Sequence, residues 1–269
     1  MKILGIVGSP RRERGLTDAL VQSTLNGARE AGAETETMYL TDRDPKPCVH
    51  CGGGCFGSSI CKMEPDATAR SQEVYESDAI VLGAPVYIWQ INGLTAAFID
   101  KLRLKDCRPP SRTSNARPAL GISVAGGTGT GLVSAVQSIY RFLCLWGFYA
   151  VDPLPVSRHN FDKAMGTAYA NGMDLAQLCS TKRAFDNIGD CLAHYRSLRF
   201  LDFDTVDEFL YLSQLMTENT NVDANNQDTY TEARKHQEAA KVLIDQDDKH
   251  KAAIHAANAY ELARKAYGD

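Results

Sequence analysis

The chain lacks the marks of several large protein classes. Basic residues do not exceed acidic ones: 29 Lys and Arg face 33 Asp and Glu, a formal net charge of -4. That balance gives no electrostatic footprint for nucleic acid. No apolar run approaches the ~20 residues that a membrane helix needs. The first residues enter a strand-like stretch without a charged leader, apolar segment and cleavage site, so the protein is expected to work in the cytoplasm. No Gly-x-Gly-x-x-Gly and no Gly-x-x-x-x-Gly-Lys-Ser/Thr follows that stretch, which disfavours a dinucleotide fingerprint and a nucleotide-triphosphate loop. No Ser/His/Asp set and no carboxylate pair stands out. Cysteine is not scarce: there are 8, and in a reducing compartment they argue for metal or redox roles rather than disulfides.

What is present starts at the first residues. Lys2-Ile3-Leu4-Gly5-Ile6-Val7 reads as a buried strand, and Leu20, Val21, Thr24, Leu25 and Ala28 keep helical spacing. Between them lies Gly8-Ser9-Pro10-Arg11-Arg12-Glu13-Arg14-Gly15-Leu16-Thr17. A helix start leaves backbone N–H groups without partners, and its dipole favours an anion. Ser9 and Thr17 add hydroxyls, and Arg11, Arg12 and Arg14 add charge. The loop reads either as a phosphate cradle or as an ordinary strand-to-helix turn with solvated arginines.

Further strands are expected at Glu34–Leu40, Asp78–Gly83, Pro118–Val124 and Phe148–Val156, the last pushed toward a sheet edge by Pro153 and Pro155. Helices are expected at Asp66–Tyr75, Gly93–Leu104, Leu132–Trp146 and Met173–Arg199, with a Pro109-Pro110 loop over Arg108–Arg117. This alternation predicts an α/β fold, a doubly wound five-stranded parallel sheet of flavodoxin-like order 2-1-3-4-5. Loops after the first, third and fourth strands then converge on one crevice. In such folds a flavin mononucleotide sits at the switch point, and the hydroxyl-bearing first loop suits its phosphate.

Residues 1–200 are expected to form this domain and 201–269 a helical C-terminal extension. Phe203–Met216 reads as an amphipathic helix and Thr217–Asp228 as a linker. Thr229–Tyr267 reads as one long helix, or a hairpin broken at Asp245-Gln246-Asp247-Asp248. Its sparse apolar positions require a partner surface: another subunit, making the tail an oligomerisation element, or the domain itself.

Cys48-x2-Cys51-x3-Cys55-x5-Cys61 sets four thiols in one loop between the second strand and the next helix. Zinc sites commonly use two separated pairs, whereas a compact run resembles cluster ligation. Gly52-Gly53-Gly54 lets the backbone wrap tightly. Iron–sulfur cluster, zinc and four reduced thiols are the readings. His50 reads as solvated. Cys107, Cys144, Cys179 and Cys191 are scattered, with Cys144 and Cys179 expected as small core residues.

Over roughly residues 1–190 the chain resembles the NADPH-dependent FMN reductase family, and within it the iron–sulfur flavoproteins of anaerobic prokaryotes. The resemblance rests on Gly8-Ser9-Pro10-Arg11 with Gly15-Leu16-Thr17, the cysteine loop, Pro85-Val86-Tyr87 followed by Asp100-Lys101, and the turn Ala125-Gly126-Gly127-Thr128-Gly129. It implies phosphate contacts at Ser9, Arg11, Leu16 and Thr17. It implies isoalloxazine-side contacts at Pro85, Val86, Tyr87, Trp89, Ala125, Gly126, Gly127 and Gly129, and cluster ligands at Cys48, Cys51, Cys55 and Cys61. The implied function is an FMN-containing electron-transfer oxidoreductase, a homodimer or homotetramer. A [4Fe–4S] cluster lies near the flavin in this reading, and passes single electrons to a ferredoxin-like partner or a small-molecule acceptor. The alternative is a cluster-free NAD(P)H-dependent reductase of flavin, quinone or nitro- or azo-compounds. A third reading is a non-enzymatic scaffold acting through the tail.

Overall fold

The computed structural model describes residues 1–104, 115–181, 183–218 and 226–267. Cys107, most of the Pro109-Pro110 loop and the middle of the expected 217–228 linker lie outside these. The chain runs β1 (Lys2–Val7), α1 (Leu16–Glu30), β2 (Glu34–Tyr39), α2 (Cys55–Ser58), α3 (Pro65–Glu76), β3 (Ala79–Tyr87), β4 (Gln90–Ile91), α4 (Gly93–Lys101), β5 (Pro118–Val124) and α5 (Leu132–Leu145). Then come β6 (Tyr149–Ala150), β7 (Leu154–Val156), α6 (Phe161–Thr181), α7 (Ile188–Ser197), α8 (Thr205–Glu218), α9 (Gln227–Asp245) and α10 (Lys249–Tyr267).

The parallel sheet has the order β2-β1-β3-β5-β6, with β7 also on β5 and the short β4 antiparallel on β3. This is the doubly wound order expected, with two differences. The fifth strand is split into β6 and β7, because Pro153 in the gap has no N–H to give the ladder. The helix expected at Met173–Arg199 is two helices, and the first starts twelve residues earlier, at Phe161.

Successive residues of the central strands feed opposite cores. Leu4, Ile6, Ile80 and Leu82 join the cluster formed with α3, α4, α5 and α7. Ile3, Val7, Ala79 and Val81 join the cluster under α1 and α6. Strands buried on both faces need near-continuous apolar runs, which these sequences supply. Among the described scattered cysteines, Cys191 is buried, while Cys144 and Cys179 are half-buried and pack against the two cores.

The tail is the broken hairpin, with its turn at Gln246–Asp248 between α9 and α10. It folds back on its own domain. Leu212, Leu215 and Met216 of α8 and Tyr260 and Ala263 of α10 form one buried cluster with Ala125 and Leu132. No helix among the described residues is long and apolar enough to cross a membrane.

Candidate functional site

Register brings three loops to the carboxyl edge of the sheet. Val7 pairs with Gly83, and Pro85 pairs with Val124, so β1, β3 and β5 end side by side.

The loop after β1 is tightly held. The Gly8 N–H donates to Gly83 O at 2.8 Å, and Asn92 Nδ2 donates to Gly8 O at 2.8 Å. Thr95, fully buried, donates its hydroxyl to Asn92 Oδ1 at 2.6 Å. A Cβ on Gly8 would stand 2.0 Å from Thr95 Oγ1, so glycine is required there. Ser9 and Thr17 are buried, whereas Arg11, Arg14 and Leu16 are exposed. The first intrahelical bond runs from Ala19 N–H to Gly15 O at 3.1 Å, and α1 has no side-chain cap. Its first-turn amides, Leu16 included, are therefore open to an anion. Ser9 Oγ accepts from the Arg11 N–H at 3.2 Å, which leaves its own proton to donate.

Arg12 does not serve this loop as expected. Its guanidinium donates to Asp42 at 2.6 Å and lies 4.9 Å from the centre of the Tyr39 ring. The carboxylate of Asp18, in the first turn of α1, accepts from Tyr39 Oη at 2.9 Å and Gln22 Nε2 at 3.2 Å. Burial, then the bond to Asp18, pushes the Tyr39 hydroxyl up to about 12, so it remains a donor.

After β3 the chain makes a two-residue hairpin turn at Ile88–Trp89, with φ of +48° and +63°. Both central residues at positive φ suit the sheet's twist, but a β-branched Ile is strained there. Pro85 is buried and Val86 half-buried, while Tyr87 and Trp89 are exposed and Ile88 is 91% exposed. After β5, Ala125 is buried and donates its N–H to Val156 O at 2.9 Å. Gly126 and Gly127 are exposed, with open space where side chains would be, and Gly129 is buried. Gly127, Gly129 and Gly131 all have positive φ.

The four loop cysteines line one cavity of ≈ 140 Å³, with Phe56, Lys101 and Arg103 also in its wall. Cys48 and Cys51 are exposed, and Cys55 and Cys61 half-buried. Among the described residues no three His, Cys, Asp or Glu side chains are already converged for a metal. Arg103 is 8% exposed, lies 4.0 Å from the centre of the Phe56 ring, and its Nε has no hydrogen-bond partner. The segment is fixed at its far end. Glu64 accepts from Lys101 and from Arg70, whose side chain is 2% exposed. Burial pushes the Glu64 carboxyl up, but the bonds from Lys101 and Arg70 outweigh it and hold it below its ordinary value. The lining residues of this cavity come from the cysteine segment and the end of α4, not from the three convergent loops.

Four residues that hold these loops escaped the sequence reading. Asn92 and Thr95 had a usable signal, an Asn directly before a helix start. Glu208 and Phe209 had none, since their role depends on where the tail docks. Trp89 stands against Phe209, with ring centroids 5.8 Å apart.

A family model described as NADPH-dependent FMN reductase matches residues 1–160. An iron-sulfur flavoprotein of Methanocaldococcus jannaschii is 31% identical over 170 residues, covering 62% of this chain and 84% of that protein. One of Methanosarcina thermophila is 29% identical over 154 residues, covering 56% of this chain and 77% of that protein. An FMN-dependent NADH:quinone oxidoreductase of Xanthomonas euvesicatoria pv. vesicatoria is 25% identical, covering 63% of this chain and 87% of that protein. In fold, the chain matches the crystal structure of RosB with bound 8-demethyl-8-formylriboflavin-5'-phosphate. The TM-score is 0.52 at 15% identity, over 76% of this chain and 89% of that one.

Proposed function

Because the chain belongs to the NADPH-dependent FMN reductase family, in its iron–sulfur flavoprotein branch, we propose that this flavin-dependent oxidoreductase is an electron-transfer flavoprotein that also holds a [4Fe–4S] cluster. Bound FMN supplies hydride and single-electron chemistry, and a bound cluster supplies single-electron transfer.

The chain's own residues do the rest. The open amides of α1, with Ser9, Thr17 and Arg11, take the FMN phosphate. Pro85, Val86, Tyr87 and Trp89 would bound the ring on one side; on the other, Gly126 and Gly127 would offer backbone amides, while Ala125 and Gly129, whose N–H groups go to Val156 O and Gly126 O, would shape the turn. Backbone donors held by the fold stabilise charge at the ring edge without reorganising. Cys48, Cys51, Cys55 and Cys61 would ligate the cluster, with Lys101 and Arg103 in the wall of the same cavity.

The observation that carries the cluster is the four thiols around one small cavity with two cations in its wall. Soft thiolates suit iron–sulfur clusters, and glycines at positive φ allow the backbone to close around one. The electron donor is NAD(P)H or a ferredoxin-like protein, and the working form is a homodimer or homotetramer.

The test is the absorption spectrum of protein purified without oxygen, with iron, sulfide and zinc assayed on one sample. Flavin bands plus a broad shoulder near ~400 nm, with roughly four iron and four sulfide per chain, are expected. Flavin bands with no iron overturn the cluster and leave a plain FMN-dependent reductase. Absence of flavin overturns the site.

A further inference from the structure

Residues 201–269 lie beyond the stretch that the family model matches. Yet this tail reaches the glycine turn after β5 with a buried carboxylate. Glu208, 1% exposed, accepts from the Gly131 N–H, from the Ser134 N–H at 3.3 Å and from the Ser134 hydroxyl at 3.2 Å. Gly131 is the N-cap of α5, and no side chain at that position caps the helix. The cap comes instead from 77 residues downstream. A carboxylate at a helix N-terminus satisfies orphan amides and meets the positive end of the dipole.

The turn is fixed at further points. Tyr260 Oη donates to Thr128 O at 3.4 Å, and Leu212 lies against Gly129. On its other side the turn supports the hairpin. A Cβ on Gly131 would lie 2.5 Å from Trp89 Cα and 2.8 Å from Val86 Cγ1, so glycine is required for the two backbones to meet. The Trp89 ring meets Phe209, which meets Tyr260 at 4.9 Å between centroids. One helix, α8, thus holds both loops assigned above to the flavin ring. Left free, a stretch with three residues at positive φ would have to be ordered by its ligand, at a cost in affinity.

We propose that the C-terminal helices preorganise the flavin edge of the site, with Glu208 as the positioning residue that holds the Gly126–Gly131 turn and, through Gly131, the Trp89 hairpin. This rests on the reading of those loops as the FMN site. Glu208 acts through the turn and not on the ligand.

The test is FMN titration of full-length flavin-free protein, with visible circular dichroism of the bound flavin. E208Q keeps the side chain's volume but sets an NH2 against donors. It is expected to weaken FMN binding roughly tenfold, the size of one lost charged hydrogen bond, and to change the flavin dichroism. V74A, a buried α3 residue away from the turn, is expected to lower the melting temperature and leave both flavin readouts alone. FMN binding by E208Q within about twofold of wild type, like V74A, overturns the proposal. If E208Q does not fold, Y260F serves in its place, with roughly threefold weaker binding expected and wild-type affinity overturning it. Wild-type protein that takes up no FMN overturns the site assignment itself, an outcome distinct from normal binding that E208Q leaves intact.

Discussion

The turn after β1 and the cysteine segment are the two regions proposed above to take a phosphate and a metal cluster, and the fold treats them in opposite ways. The turn joins the buried strand β1 to α1. Ser9 is 4% exposed and Thr17 2%, and Gly8 is tied on both its N–H and its carbonyl. The cysteine segment carries one helical turn, Cys55–Ser58, and exposes Val49, Phe56 and Met63. Its firm attachments are at the far end, where the Cys61 N–H donates to Thr68 Oγ1 at 2.9 Å and Glu64 meets Arg70 and Lys101. In the first region the core supplies the geometry before any ligand arrives. In the second, ordering the loop and binding its ligand are one free energy.

The strongest way to break this contrast is to remove thiols. Cys51→Ala with Cys55→Ala is expected to abolish nearly all of the roughly four iron per chain and to leave FMN binding unchanged. Iron assays and FMN titration on one sample check this, and retained iron would falsify the ligand set. Next in size is the anchor. Arg70→Met leaves Glu64 and Asp66 short of a buried cation, and is expected to lower stability by about 3 kcal/mol in urea unfolding. Hydrogen exchange should then rise in the cysteine segment and not in the β1 turn.

A smaller effect falls on the other side of the comparison. Asn92→Ala strands the Gly8 carbonyl and the Thr95 hydroxyl, a loss of about 1–3 kcal/mol, read as weaker FMN binding with unchanged iron. The smallest is a pH effect. Because the Glu64 carboxyl is held below its ordinary value, its contribution is fully present above the unfolded value near ~4.3 and is lost as pH falls through the folded one. The urea midpoint should decline in that acid range, and Glu64→Gln should flatten the decline. An identical acid limb in both proteins would sink this assignment.

The sequence carried the local parts of this molecule well. The β1–turn–α1 unit follows from short-range periodicity and turn residues, the order of the sheet from the alternation of elements and the handedness of crossovers, and Asp245–Asp248 marks where the tail breaks if it is a hairpin and not one long helix. Parts that depend on distant docking were not legible. Nothing about Glu208 distinguishes it from other glutamates until α8 lies on α5. Arg12 looked like one of three equal arginines, and only the position of Asp42 draws it away. Trp89 is expected at the ring site, and its indole also meets a residue 120 positions later in the chain. The tail's sparse apolar stripe signalled a partner surface without saying whose, and its own domain supplies it.

The cap on α5 also sets an order of events during synthesis. Strands β1 to β7 end at Val156, so the whole sheet can leave the ribosome and pair before Glu208 has been made. Domains fold as they emerge, amino terminus first. For the time taken to translate some fifty further residues, the nascent protein has a finished sheet and a glycine turn that Glu208, Leu212 and Tyr260 do not yet hold. Under the proposal above, the docking of α8 to α10 is a closing step of maturation that follows the sheet and readies the turn for the flavin.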